Sequence, residues 1–178
     1  MGATERITRI CPVKQLKPEL LRAIKEYARK RKLGDPGSKA VLCCETLTDR
    51  EGRSRLAAWL SESPDAVDHL GIILTGSHLL WGRHGDRSGT VAMDADLREL
   101  NARPYRLRLS KEAGLEIYGL IGEKKKRTGG RLALGHQEDA QRFVAEVVRA
   151  VEAANPPPKK RDIPWLRWLS RRNDDRSR

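Results

Sequence analysis

His78 and His84, with Trp81 between them, fall inside the stretch LGIILTGSHLLWGRHGDRSG, and imidazoles this close could bind a metal or act as a base. Either task needs further converging ligands or a nucleophile, and the flanking residues supply none. The other nucleophilic side chains are Cys11, Cys43 and Cys44. An odd count, one adjacent pair and no C-x-x-C argue against a disulfide framework and a zinc knuckle, and suit a reducing compartment. There is no nucleophile elbow, HExxH, Walker motif or recognisable carboxylate pair. The chemistry points away from an enzyme, and no cofactor or metal is expected.

Charge is the stronger signal. The 178 residues carry 36 Lys+Arg against 24 Asp+Glu, a formal net charge of +12. That balance favours an anionic partner: an acidic protein, anionic lipid or nucleic acid. The positive charge is concentrated in two places. EKKKRTGGR holds Lys124, Lys125, Lys126 and Arg127 at what reads as a hairpin tip, followed by Gly129, Gly130 and the further candidate contact Arg131, with glycine spacing that is wrong for a phosphate-cradling loop. A charged tip kept for solubility is the plain reading, and electrostatic docking to an acidic partner or anionic lipid is the sharper one.

The second concentration is the tail, residues 156–178, with eight Lys and Arg against three Asp, a net of +5. Within it, DIPWLRWLSRR puts Trp165, Leu166, Trp168 and Leu169 beside Arg167, Arg171 and Arg172. Exposed tryptophan is costly unless it docks. Docking on protein, self or partner, ranks ahead of a membrane interface.

Several elements must position these residues. KPELLRAIKEYARKRKLG spaces Leu20, Ile24, Tyr27 and Ala28 as a helix, with Pro18 in its first turn and Gly34 as a stop. Its other face, Arg22, Lys25, Arg29, Lys30 and Lys32, reads as a solvated basic face, with a surface for anionic lipid or nucleic acid as the alternative. GDPGSK reads as a linker. AVLCCETLT is a strand whose adjacent cysteines point to opposite sides, one of them a small core residue. Residues 56–67 stay open between helix and strand.

Leu70, Ile72 and Leu74 share a strand face, TGSH turns the chain, and Leu79 and Trp81 return it with both histidines on the opposite side. TVAMDADLREL starts extended and is expected to end in a short helical turn. GLEIYGLIG alternates, with Leu115, Ile117, Gly119 and Ile121 on one side and Glu116, Tyr118 and Leu120 on the other; RLALG follows the basic loop. The period then becomes helical. Ala140, Phe143, Val144, Val147, Val148, Val151 and Ala154 form one stripe, Glu138 and Asp139 favour its N-terminus, and Asn155 with PPP ends it.

The order of these elements resembles the bacterial pleckstrin-homology-like domains, the GRAM and YokE-like group. GIILTGSHLLWGRHG, TVAMDADLREL, LEIYGLIG, GRLALG and DAQRFVAEVVRAV carry the resemblance, over residues 38–154. It implies an α+β, mainly β fold: a curved antiparallel β-sandwich or partly open barrel of about seven strands, capped by the C-terminal helix. An additional N-terminal helix stands before it. The chain divides as 1–37, a helical arm and linker; 38–154, the PH-like domain; and 155–178, a basic tail expected to be flexible.

The resemblance also implies a binding scaffold without catalysis. In some eukaryotic members basic residues between the first two strands bind phosphoinositides. Here DREGRSR supplies Arg50, Arg53 and Arg55 among Asp49 and Glu51, and the usual lysine at the end of the first strand is missing. The expected function is therefore protein–protein contact, through an acidic partner or self-association, or peripheral association with an anionic surface. Nucleic-acid binding is the alternative, disfavoured because no stacking aromatic lies among the basic residues of the 124–131 loop. MGATERITRICPVKQ has no apolar signal region, and no apolar run approaches the roughly 20 residues that span a bilayer. A cytoplasmic protein is expected, with peripheral attachment at the inner membrane face as the alternative.

Overall fold

The computed structural model describes residues 5–49, 67–107, 112–123 and 126–156. Seven strands, β1 (Glu5–Ile10), β2 (Ala40–Asp49), β3 (Val67–Thr75), β4 (His78–Gly85), β5 (Gly89–Leu107), β6 (Glu112–Ile121) and β7 (Lys126–Ala133), form one antiparallel sheet in chain order. Among the described residues, three α-helices accompany it: α1 (Pro18–Lys30), the single turn α2 (Pro36–Lys39) and α3 (Glu138–Ala154), with a 3-10 turn at Val13–Gln15.

The alternation within each strand divides the apolar residues into two cores, one per face. Cys44, Ile72, Leu74, Leu79, Trp81, Leu115 and Ile117 point inward and are covered by the α3 stripe, with Phe143 and Val147 fully buried. Cys43, Ile73 and Leu80 point outward beneath Leu16, Ile24 and Ala28. The adjacent cysteines thus point to opposite sides, and each is buried.

The sheet curls far enough for its ends to meet at one corner. The Thr8 hydroxyl of β1 donates to the Leu134 carbonyl just past β7, and the Gln137 side-chain amide donates to the Arg6 carbonyl. Asp139, in the first turn of α3, accepts from the Ile10 N–H at 2.8 Å. The mainly β, partly closed architecture capped by a C-terminal helix is therefore present.

Four local readings change. Residues 5–37 are integral to the sheet: β1 pairs with β2 along its whole length, and α1 covers the outer face of β3–β5. The alternation in ERITRI is too short and too charged to stand out before its partner strand is known. GDPGSK forms a capped helical turn, not a loose linker, because the Asp35 carboxylate accepts from the Ser38 N–H at 2.9 Å. ADLREL continues β5 as strand, and a register irregularity between Ala95 and Leu100 absorbs its bend. Finally, β7 starts at Lys126, so Lys126, Arg127 and Gly129–Gly130 lie in a strand and not at a hairpin tip.

The outer core depends on a close approach. Gly71 and Gly82 are directly opposite each other on β3 and β4. A Cβ on Gly82 would stand 3.0 Å from Ile24 Cγ1, and one on Gly71 would stand 3.2 Å from Leu16 Cδ2. The paired glycines make a flat floor on which α1 lies.

Candidate functional site

Helix α1 covers only part of the outer face. Beyond it, the second half of β5 with β6 and β7 presents a surface that no helix among the described residues covers, with side chains set by register. Arg103, Glu116 and Arg131 stand opposite one another on the three strands. Glu116 accepts from Arg103 Nε at 2.6 Å and from Arg131 Nε at 3.2 Å. Those two guanidinium groups, Arg103 first, hold the Glu116 carboxyl below the usual carboxylate range. The row keeps one net positive charge.

Arg131 also lies over the Tyr105 ring, its guanidinium carbon 5.4 Å from the centroid. Burial, followed by Glu112, pushes the Tyr105 hydroxyl above its ordinary pKa, and Tyr105 donates to Glu112 Oε1 at 3.3 Å. This tyrosine is a fixed platform, not a titrating group.

The next row is Asn101, Tyr118 and Gly129. Tyr118 is 51% exposed, and its ring lies across Gly129, where an added Cβ would meet Cδ2 at 3.3 Å. Gly130 has open space above it. Residues of these rows, with Leu100, Ala102 and Ile117 of the inner face, Val151 and Glu152 of α3 and its C-cap Asn155, line an open groove of about 790 Å³ at the edge of the sheet. Asn155 closes its helical side, its amide donating to the carbonyls of Leu97 at 2.6 Å and Val151 at 3.0 Å.

Of the basic residues singled out in EKKKRTGGR, Lys126, Arg127 and Arg131 are exposed on β7, and only Arg131 also reaches the groove. Lys124 and Lys125 lie outside the described residues, as do Arg50, Arg53 and Arg55 and the tail residues Trp165, Leu166, Arg167, Trp168, Leu169, Arg171 and Arg172. Arg103, Tyr105 and Tyr118 were not singled out. Their only signal was alternation in NARPYRL and GLEIYGLIG, and which face stays open depends on where α1 lands.

The histidines sit on the outer face, as the hairpin reading requires. His84 Nδ1 is 2.7 Å from the Thr90 hydroxyl, and His78 Nδ1 is 2.9 Å from Ser77 Oγ. His69, opposite His84 in the register, joins them with ring centroids 6.4 Å apart. Among the described residues, no group of three or more His, Cys, Asp or Glu is arranged to hold a metal ion. Two buried carboxylates instead tie α1 and its approach to the sheet. Asp94 accepts from the Tyr27 hydroxyl at 2.7 Å and faces Arg31 Nε at 3.4 Å; Glu45 accepts from Arg9 at 2.9 Å and from the Lys17 N–H at 3.3 Å.

His69 gives a pH test of this outer layer. Burial, then Lys17, holds its pKa below the ordinary value, outweighing Glu45 at 3.4 Å, which favours the imidazolium. As the pH falls, the unfolded chain therefore takes up this proton before the native state does. The resulting loss of native stability begins near the free-histidine pKa of about 6.5. The thermal midpoint should fall between about pH 7 and pH 5, less steeply in His69→Gln. An unchanged slope in that variant would assign the dependence to other groups.

Comparison of the chain with protein-family models, with curated proteins and with solved structures gave no match. No helix among the described residues is long and apolar enough to cross a membrane.

Proposed function

We propose that this chain is a non-catalytic binding module of pleckstrin-homology-like build that holds an acidic protein segment along β7 and the adjoining groove. One observation carries the reading. From Lys126 to Arg131 every residue of β7 is exposed, and among the described residues no strand pairs with its outer edge. An unpaired edge offers main-chain donors and acceptors to an extended peptide. Lys126, Arg127 and Arg131 select acidic side chains on that peptide, and Gly129–Gly130 leave room for it to approach.

A second β7 is disfavoured as the occupant, because two copies would bring like charges together. The reading suits a cytoplasmic protein, with an anionic membrane face as the competing surface and nucleic acid as the third.

Titrating the full chain with a peptide of alternating Glu and Val, with phosphatidylserine vesicles and with duplex DNA separates the three. The peptide should bind in a salt-sensitive manner, and Lys126→Glu with Arg127→Glu should weaken it about tenfold, or about 1.4 kcal/mol, without lowering the thermal midpoint. Binding of vesicles or DNA alone would replace the acidic-protein reading.

A further inference from the structure

Cys11 and Cys43 meet at the end of the β1–β2 ladder. The register pairs Ile10 with Cys44, which sets Cys11 opposite Cys43, and the Cys11 N–H donates to the Cys43 carbonyl at 3.1 Å. Cα atoms of residues directly opposite in an antiparallel ladder stand about 4.5–5.5 Å apart, within the span a disulfide bridges. Both side chains belong to the outer core, so they point the same way. Cys44 points through the sheet into the inner core.

An open groove of about 580 Å³ reaches the pair. Pro12, Val13, Leu21 and Lys25 line it beside the two cysteines.

We propose that Cys11 and Cys43 form a reversible dithiol–disulfide pair, oxidised by a peroxide that enters through this groove. The Cys11 sulfur, as thiolate, attacks one peroxide oxygen; the O–O bond breaks, and the departing hydroxide takes up the thiol proton to leave as water. Cys11 is then a sulfenic acid. The Cys43 sulfur attacks it, the S–S bond forms, and the hydroxyl leaves as a second water with the Cys43 proton. Two thiols lose two electrons and two protons, and one peroxide becomes two waters.

Cys11 is the attacking thiol because it is the less deeply buried of the two: burial raises both thiols, Cys43 further, and the Arg9 guanidinium offsets part of the rise at Cys11. The new bond closes a loop that contains all of α1 and α2, so it pins the base of the outer helix to the sheet. This inference does not depend on the binding reading of β7.

The test oxidises reduced full-length protein with hydrogen peroxide, blocks the remaining thiols and maps the peptides without reduction. The expected product is an intramolecular Cys11–Cys43 link, with two of the three thiols lost, slower amide exchange in α1 and full reversal by dithiothreitol. Cys44→Ala should oxidise in the same way, and Cys11→Ser should yield no intramolecular link. A link that uses Cys44, a disulfide between two copies, over-oxidation of one cysteine without a link, or three thiols still free would each overturn the proposal.

Discussion

Phe143→Ala should destabilise the protein by about 3–5 kcal/mol, the range for emptying a well-packed aromatic site. Phe143 is fully buried at the centre of α3, in a cluster that draws residues from β2 through β7. Its removal costs the transfer of a large apolar side chain and leaves a cavity that several strands would have to move to fill. Against a typical total of about 5–15 kcal/mol, that is a large share. Thermal unfolding should show a midpoint lower by about 6–20 °C for a chain of this size. Val148→Ala, on a half-buried position of the same helix, should cost much less. Equal and small effects would mean that the α3 stripe does not cover the sheet.

The second large effect is expected at Gly82, from crowding instead of a void. A valine there drives its branched side chain into Ile24 and Leu20, both fully buried between helix and sheet. Overpacking of this kind costs about 1–3 kcal/mol when the neighbours can adjust. Here the obstruction lies on the flat floor beneath α1, so the helix must lift, and each of Leu20 and Ile24 that becomes exposed adds about 1.5–3 kcal/mol. Hydrogen exchange should therefore accelerate in α1 well before it does in α3. Uniform acceleration would mean that the two cores do not respond separately. Gly130→Val, with open space above it, serves as the control for valine at a strand glycine.

Legibility in the sequence followed the strength of local pattern. The α3 stripe, the α1 spacing, the alternation of Leu115–Ile121 and the opposite pointing of Cys43 and Cys44 were all readable, because each is a property of consecutive residues. β1 was not. ERITRI has two isoleucines among charged residues, and its strand character comes from pairing with a partner more than thirty residues away. ADLREL mimics a helix in composition, yet the ladders to β4 and β6 keep it extended.

The candidate site was half legible for the same reason. The basic residues of EKKKRTGGR stood out by charge, whereas Arg103, Tyr105 and Tyr118 became neighbours only through the register of three strands. Gly71 and Gly82 look like hairpin punctuation in sequence, and the helix that needs their flatness lies about fifty residues upstream.

Binding through β7 and the face beside it, as proposed, is set against binding through the basic face of α1. Chemical-shift mapping of the full chain against the alternating Glu–Val peptide, at low and at physiological salt, compares the two surfaces in one titration. Shifts are expected along Lys126–Arg131 and at Tyr118 and Arg103, weakening as salt rises. Shifts centred on Arg22, Lys25, Arg29 and Lys30, with β7 unmoved, would contradict the proposal.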